Sequence, residues 1–403
     1  MKNLKKTTTL TALALAGTAY SLSADPVEAA LDASKAKLSE TIPGKISVNA
    51  RLRYEVFDAE GGLDVDGTTI RARYGYTTPN FNGFTAMVEG ETVSRVGGDA
   101  GDMHPLDAPG DGTDLNQLWV QYADEAYGKV KLGRQIYTLD DHRFVGHVGW
   151  RQNIQVFDAA TFDYTGIDKL SMKGFFIDER HLVTGAHNKT DSYGLNVSYA
   201  FSPKFKLTGF YYDMEGEDAA ATTNKTIGLR AVGSFAYEDI KFKYAFSLAE
   251  QSDAGATGSD PDAGYLAGDL STSLVGLTLG AGFEVLEPGF RTPYATVHKF
   301  NGFADVFAGP SLTGIAGGLE DYYIYAGYKI PVGNGIQAKV IYHWFDPENG
   351  GGSYGEELDF VASYSINKYF SAVVKYGTYE ADSDAAAFTA DKDMFTIELN
   401  FKY

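Results

Sequence analysis

The residues best suited to chemistry in this sequence are arginines that recur at every second position. They form two pairs in neighbouring segments, Arg51, Arg53, Arg71 and Arg73. A spacing of two places both members of a pair on the same face of a β-strand. A planar guanidinium group binds carboxylates and other anions through two parallel hydrogen bonds. We therefore expect either a basic patch that passes an anion from one arginine to the next, or a belt of salt bridges with Glu55, Glu89 and Glu91.

A second cluster of candidate binding residues lies within residues 138–155, which also contain glycines and acidic residues. Arg143 and Arg151 can bind carboxylates there, and Trp150 can stack on a sugar ring. A loop folded inward among the strands would bring these side chains together. The alternative is an ordinary external loop, with Trp150 at the level of the lipid headgroups where tryptophan is enriched.

The remaining polar groups give weaker patterns. His142 and His147 lack the four-residue spacing of a helical metal site, and the chain has no cysteine to complete one. The aspartates of one long segment do not match an EF-hand, so a solvated loop is expected, with weak Ca²⁺ binding as the alternative: Asp99, Asp102, Asp107, Asp111 and Asp114. A second polar site or a packing network is expected from His298, Asp305, Glu320 and Asp321. We expect no cofactor and no resident metal.

Strands are needed to position these side chains, and the chain alternates between apolar and polar residues from Lys45 onward. In the last segment Phe395, Ile397, Leu399, Phe401 and Tyr403 share one face, whereas Thr396, Glu398, Asn400 and Lys402 share the other. Such a strand suits lipid on one side and water on the other. Most alternating segments have about the ten residues of a tilted membrane-crossing strand. We expect the last strand to pair with the first near Ile46, so that its polar face joins the arginines.

The connections between these segments alternate in length, as in outer-membrane barrels. Short turns occur at 79–83, 202–204, 236–239, 331–335 and 366–368, and long polar loops at 94–113, 213–223, 250–263, 286–318, 346–355 and 380–392. The pattern predicts an all-β fold over residues 45–403, a transmembrane antiparallel up-and-down β-barrel of about 18 strands. Sixteen strands are the alternative, because residues 262–286 can be drawn as one long strand or a hairpin. A soluble sandwich, β-helix or propeller is disfavoured, since no fixed-period repeat is present.

The N-terminus predicts export. Residues 1–24 combine a basic start, a short apolar core and small residues, the pattern of a cleaved signal peptide. Residues 25–44 predict a short periplasmic helix or leader, with a plug inside the barrel as the alternative. Aromatic residues make up 14% of the chain, yet its mean hydropathy is only −0.21, as expected when every second strand residue faces lipid. The net charge of −19 argues against nucleic-acid binding.

Two internal stretches carry a resemblance to a known family. The first has KLGRQ at 131–135 and DDHRFVGHVGWRQN at 140–153; the second spans 290–305, with GLED at 318–321. Both resemble segments of Gram-negative porin-type proteins related to the alginate-export barrels. The resemblance covers most of residues 45–403 and implies a barrel of about 18 strands that passes a hydrophilic, often anionic solute. We include Arg134, from the first stretch, among the candidate pore-lining residues.

Together these features predict an outer-membrane porin for passive diffusion of small hydrophilic solutes, anions or saccharides among them, through an arginine-rich constriction. No enzymatic activity is expected, because nothing in the sequence pairs a serine with a histidine and an acid as a catalytic triad requires. The one Gly-x-Ser-x-Gly match, residues 351–355, falls in a long polar loop and not between a strand and a helix. A structural or adhesive barrel is the main alternative, and an outer-membrane barrel enzyme is a lesser one. The expected surroundings are outer-membrane lipid and lipopolysaccharide, with the C-terminal strand recognised by the barrel-assembly machinery. Both a monomer and a homo-oligomer fit the sequence.

Overall fold

The alternating segments form one continuous antiparallel sheet. The computed structural model describes residues 25–97, 102–107, 112–216, 223–252 and 262–403. The expected signal peptide and two of the loop aspartates, Asp99 and Asp111, lie outside these ranges. Among the described residues, helix α1 (Asp25–Thr41) precedes eighteen strands.

The strands follow one another with few interruptions. The first nine are β1 (Lys45–Ala59), β2 (Asp64–Thr77), β3 (Phe84–Arg95), β4 (Gly112–Asp124), β5 (Gly128–Gln135), β6 (Val156–Tyr164), β7 (Leu170–His181), β8 (His187–Ser202) and β9 (Phe205–Met214). The other nine are β10 (Asn224–Tyr237), β11 (Ile240–Ser252), β12 (Ala263–Leu274), β13 (Leu277–Leu286), β14 (Leu319–Ile330), β15 (Ile336–Asp346), β16 (Gly355–Ser365), β17 (Phe370–Ala381) and β18 (Lys392–Lys402). A short helix α2 (Ala308–Thr313) and two 3₁₀ turns, Pro105–Asp107 and Val297–Lys299, lie in the connections.

The sheet closes on itself through its first and last strands. Each strand pairs with its sequence neighbours, and β18 pairs with β1 in the register Ala50 to Phe401. The chain end is held as well, because the backbone N–H of Tyr403 donates to the carbonyl of Val48 at 2.8 Å. The predicted antiparallel barrel of about 18 strands is therefore confirmed.

The alternative of sixteen strands is wrong, because the uncertain region forms the hairpin β12–β13. Its two-residue turn has φ of +51° at Val275 and +83° at Gly276. Two positive φ angles match the right-handed twist of the flanking strands. A β-branched residue rarely adopts such a φ, so the sequence carries only half of the usual turn signal here.

Alternation separates an apolar outer surface from an inner face that carries polar side chains and, where the inward connections pack, a buried apolar cluster that includes Phe157, Phe290 and Phe307. Leu118, Val120 and Leu132 each expose about half of their surface to the outside, at 52%, 51% and 56%. Polar residues of the opposite phase, such as Ser192 and Thr208, are fully buried. A water-soluble protein distributes these types the other way round, whereas lipid outside and a polar lumen inside require this arrangement.

The two rims differ in their connections. The short turns that the sequence predicts lie at the rim that also holds the last residue of β18, and the long loops lie at the other rim. Two connections at the long-loop rim are nevertheless short, residues 60–63 and 182–186. Short turns at one rim and long loops at the other are therefore the general pattern of this barrel, with these two exceptions.

Helix α1 contacts the rim with the short turns. Asp32 accepts hydrogen bonds from Lys368 Nζ at 2.5 Å and from the Tyr369 hydroxyl at 2.6 Å. The ammonium of Lys35 lies 5.7 Å from the centre of the Tyr403 ring. These contacts join α1 to the turn before β17 and to the end of the chain. Among the helices in the described ranges, none is both long and apolar enough to cross a membrane.

Candidate functional site

Two connections from the long-loop rim fold into the barrel and meet there. Loop A (residues 136–155) joins β5 to β6, and loop B (residues 287–318) joins β13 to β14. Gly146 N donates to the carbonyl of Tyr294 at 2.7 Å, and Thr296 N donates to the carbonyl of His142 at 3.0 Å. A side chain at Gly146 would collide with Thr296, so glycine is what allows the two backbones to approach.

The four alternating arginines lie on the inner face of β1 and β2, beside loop A. Arg51 is directly opposite Arg71 in the strand register. Its guanidinium donates to the carbonyls of Trp150 at 2.9 Å and Gly149 at 3.1 Å. Arg51 is thus used to hold the backbone of loop A inside the barrel.

Arg53 is fully buried and has a carboxylate partner on the closing strand. Its Nε and Nη2 lie 2.9 and 2.7 Å from Glu398 Oε1, and Nη2 also donates to the carbonyl of Trp150. The expected meeting of the polar face of β18 with the arginines is present. Glu398 supplies a negative charge that the sequence analysis had not assigned to Arg53.

Arg71 and Arg73 complete the row along the wall. Arg71 donates to the side chain of Asn49, and Arg73 pairs with Glu91. Arg73 also donates to the carbonyl of Gln152 in loop A at 3.2 Å. Among the expected acidic residues, Glu89 takes no part in this row, because it accepts hydrogen bonds from the amides of Asn116 and Gln117.

Arg151 of loop A lies at the centre of a buried ionic cluster. Its guanidinium is 2.9 Å from Glu55, 3.3 Å from Asp305 of loop B and 3.6 Å from Asp107. Burial alone would lower the pKa of Arg151, but Glu55, Asp107 and Asp305 outweigh it and raise that pKa. The cation therefore stays charged and joins three separate segments of the chain.

Asp107 is a site residue that the sequence reasoning missed. The aspartate-rich segment was expected to be a solvated loop, yet Asp107 is 1% exposed. It accepts a hydrogen bond from Gln152 N at 2.8 Å and lies 3.6 Å from both Arg53 and Arg151. Nothing in the local sequence distinguishes Asp107 from the other aspartates of this segment.

Trp150 is enclosed by aromatic and cationic side chains. Its ring stacks on His298 of loop B, with centroids 3.8 Å apart and planes 3° apart. The guanidinium carbon of Arg53 and the ammonium of Lys375 lie 4.3 and 3.9 Å from the indole centre. These contacts occupy the ring face that the sequence analysis had assigned to a sugar. Lys375, an inward residue of β17, was not among the expected site residues.

His298 and Asp305 form a hydrogen-bonded pair within loop B. This pair fits the packing network that was one of the two expectations from the sequence. His298 Nδ1 is 2.8 Å from Asp305 Oδ1, and its Nε2 is 3.0 Å from Lys375 Nζ. Burial, reinforced by Lys375, lowers the pKa of His298 to about 3. The neutral ring therefore donates from Nδ1 and accepts from Lys375 at Nε2. Asp321 lies elsewhere, against His343 at 2.7 Å.

Arg143 anchors loop A to the opposite wall of the barrel. Two of its nitrogens lie 2.8 and 2.9 Å from the carboxylate oxygens of Glu284 on β13. The Tyr265 hydroxyl donates to the same carboxylate at 2.7 Å. Arg143 is 1% exposed, so it faces protein groups on all sides.

The expectation that Arg134 lines the pore is wrong, because its side chain lies on the outer face. It shares the phase of Val130 and Leu132, which are exposed on the outer surface, whereas Lys131 and Gln135 have the inward phase. Arg134 pairs with Asp158 on the neighbouring strand at 2.9 Å. The alternation of residues along β5 by itself predicts that Arg134 faces outward.

A cavity of about 370 Å³ lies between the inward loops and the wall formed by β10 to β16. Its lining includes three cations, Arg230, Lys299 and Lys339, two tyrosines, Tyr323 and Tyr325, and five acids, Asp141, Asp269, Glu284, Asp321 and Asp359. Arg230 pairs with Asp141 at 2.8 Å, and Lys339 Nζ lies 3.9 Å from the centre of the Tyr325 ring. Sequence reasoning missed these cations, although Arg230 and Lys339 stand at inward positions of β10 and β15; Lys299 belongs to loop B.

The family of this chain follows from a sequence comparison. Residues 43–283, more than half of the chain, match a model described as alginate export. The chain belongs to the alginate export family. This family and the closed barrel identify a porin-type protein of the Gram-negative outer membrane, whose outward face meets lipid. Comparison with curated protein sequences gives no match.

Solved outer-membrane structures share the fold of this alginate export family member. OccK11 (OpdR) of Pseudomonas aeruginosa is 16% identical with a TM-score of 0.67, over 89% of this chain and 97% of that one. OpdK of Pseudomonas aeruginosa, crystallised with vanillate, is 12% identical with a TM-score of 0.69, over 89% and 98%. OccAB4 of Acinetobacter baumannii is 13% identical with a TM-score of 0.69, over 90% and 98%. At these identities the likeness concerns the fold.

Proposed function

We propose that this chain is a passive diffusion porin for small hydrophilic solutes, with a preference for anions such as carboxylates and acidic saccharides. The observation that carries this proposal is the polar cavity left beside the two inward loops of a closed barrel. Its volume of about 370 Å³ suits a small solute, and its charged and tyrosine side chains suit a hydrated one.

In this proposal the arginines of the constriction hold loop A in place and thereby set the size of the opening. Arg51, Arg53, Arg143 and Arg151 all bind loop A or join it to its surroundings. Their charges are therefore largely used within the protein, which supports the salt-bridge belt more than the anion ladder. The solute would pass on the other side of the loops, along the β10–β16 wall.

The preference for anions rests on cations that have no carboxylate close by. Among the described residues, no acidic group lies within ion-pair distance of Lys173, Lys206, Lys243 or Lys339. By contrast two acids of the cavity are paired with arginines, Asp141 with Arg230 and Glu284 with Arg143, and Asp269 accepts hydrogen bonds from two tyrosine hydroxyls. OpdK, which shares the fold, was crystallised with vanillate, itself a carboxylate.

Planar-bilayer recording of the purified protein tests the proposal. Stepwise conductance is expected, and the reversal potential in a KCl gradient should indicate anion preference. Replacing two inward cations, Lys243→Gln on β11 together with Lys339→Gln in the cavity lining, should shift the reversal potential towards cation preference. The matched control is Lys189→Gln on β8, which lies on the outer face opposite Glu179. Absence of conductance would overturn the porin, and an unchanged reversal potential in the double variant would overturn the anion preference.

A further inference from the structure

A cluster of histidine and carboxylate groups lies outside the lumen, on the outer surface of the long-loop rim. Glu179 and His181 end β7, and His187 begins β8 directly opposite His181. One ligand atom from each of these three side chains lies within 4.8 Å of the other two. They point away from the lumen, because Arg180 between them reaches inward to the ring of Tyr294 in loop B.

The hairpin geometry brings the two imidazoles together. The turn after His181 is closed by Leu182 N donating to the carbonyl of Ala186 at 2.9 Å, with φ of +79° at Gly185. This short return places His187 against His181, with ring centroids 4.4 Å apart and planes at 81°. Glu179 shares the face of His181, and its Oε2 lies 3.4 Å from His181 Nε2.

A further carboxylate orients one of the imidazoles. Asp158 Oδ2 of β6 lies 3.0 Å from His181 Nε2, and Arg134 holds both oxygens of Asp158 at 2.9 Å. Imidazoles that bind metals are commonly held in this way through the nitrogen that does not bind the metal. His181 Nδ1 is then the nitrogen left for a metal ion, and Glu179, whose Oε2 lies 3.4 Å from Nε2, has to turn towards Nδ1 to bind the same ion. A cavity of about 60 Å³ borders both histidines and has room for water ligands.

We propose that Glu179, His181 and His187 bind a borderline divalent cation, and that Zn²⁺ fits this site best. Two imidazoles and one carboxylate, with water in the remaining position, are ligands that zinc takes in proteins. Ca²⁺ and Mg²⁺ instead require sets made of oxygen atoms. The site departs from the sequence expectation of no resident metal, because the pairing of β7 with β8 that joins the two histidines is not visible in the sequence. It lies outside the lumen and does not depend on the proposed transport function.

Isothermal titration of the tag-free, detergent-solubilised protein with ZnCl₂ tests the site. One Zn²⁺ per chain is expected, with no comparable binding of Ca²⁺ or Mg²⁺. His181→Ala and His187→Ala should each weaken zinc binding at least about tenfold, and Asp158→Asn should weaken it by about 10- to 100-fold. The matched control is His142→Ala, which removes a histidine from the only other close imidazole pair that the described residues contain outside this hairpin, His142 and His147.

Folding of each variant is checked by its heat-dependent mobility in gel electrophoresis, and the visible spectrum of bound Co²⁺ gives a second readout. Loss of the tetrahedral Co²⁺ bands in His187→Ala, with the folded mobility retained, would support the site even if His181→Ala misfolds. Failure of the wild type to bind Zn²⁺ would overturn the proposal. So would unchanged zinc affinity in folded His187→Ala, or loss of binding in His142→Ala instead.

Discussion

Trp150 of loop A stacks face to face on His298 of loop B, with ring centroids 3.8 Å apart. The two loops belong to connections more than one hundred residues apart in sequence, yet their side chains meet inside the barrel. Arg53 and Lys375 lie against the same indole from the barrel wall. This ring pair is the point at which the position of one loop depends on the other.

Removal of the indole should therefore widen and loosen the constriction. We expect Trp150→Ala to raise the single-channel conductance and the open-channel noise. Loss of the aromatic stack costs about 0.5–1.5 kcal/mol beyond the loss of buried area. The control is Trp344→Ala, since Trp344 is an exposed residue of the outer face and should leave conductance unchanged. Equal effects of the two substitutions would contradict the role of Trp150.

Truncation of Arg53 should destabilise the barrel strongly. The substitution Arg53→Ala removes two hydrogen bonds to the buried Glu398 and leaves it with the longer contact to Arg51 at 3.6 Å. A cost of about 3–5 kcal/mol is typical when one partner of a buried pair is removed. Denaturant unfolding in detergent micelles, followed by tryptophan fluorescence, measures this change.

The paired control for Arg53 is the double variant Arg53→Ala with Glu398→Gln. Because the uncompensated charge is then absent, the double variant should regain part of the lost stability. A double variant less stable than Arg53→Ala alone would show that the carboxylate is not the source of the penalty.

Acidification should weaken the contact between the loops. The folded protein holds the pKa of His298 near 3, whereas an exposed histidine titrates near 6.5. The unfolded state therefore binds the extra proton first, and the free energy of unfolding falls as the pH decreases from about 6.5 towards 3.

Asp305 adds a second loss of stability at lower pH. Burial favours its neutral form, but His298 and Arg151 lower its pKa to about 2. Its contribution is present above the pKa of an exposed aspartate, near 3.9, and is lost as the pH falls towards 2. Melting temperatures measured from pH 7 to 4 should decline less steeply in His298→Gln than in the wild type. An identical slope in both proteins would mean that His298 does not titrate as its burial implies.

The last residue should matter through its ring and not through its hydroxyl. Tyr403 stacks on Tyr369 with centroids 6.0 Å apart, and its hydroxyl is buried without a hydrogen-bond partner in the described structure. If the assembly machinery reads the terminal aromatic ring, Tyr403→Phe should insert as well as the wild type and Tyr403→Ala should insert poorly. The yield of heat-modifiable barrel in outer-membrane fractions distinguishes the two.

Alternation was enough to predict the barrel, because each strand obeys a local rule of lipid outside and polar lumen inside. It also paired the last strand with the arginine strand, as the register of Arg51 with Asn400 shows. The same rule places Arg134 outside, since Arg134 follows Val130 and Leu132 in phase. Arg134 was expected to line the pore because it lies in a stretch that resembles the family, and the alternation of β5 contradicts that expectation.

The contacts of the inward loops could not be predicted in the same way. Asp107 and Asp305 meet at Arg151 only because three distant connections enter one lumen, and Lys375 of β17 contacts Trp150 because loop A lies against that strand. Such contacts depend on the path of irregular backbone, which has no periodicity to read. The turn at Val275 could not be assigned from the sequence for a related reason, because valine normally avoids a positive φ and yet occupies this turn.

Arg51, Arg53 and Arg73 donate to main-chain carbonyls of residues 149–152 in addition to their side-chain partners. A carbonyl is supplied by every amino acid, so this attachment does not depend on which side chains loop A carries. Side chains of loop A other than those of Arg143, Trp150 and Arg151, and at positions other than Gly146, can therefore be exchanged while its path is kept. The barrel is in this respect a fixed frame in which the lining of the opening can be redesigned without refolding the frame.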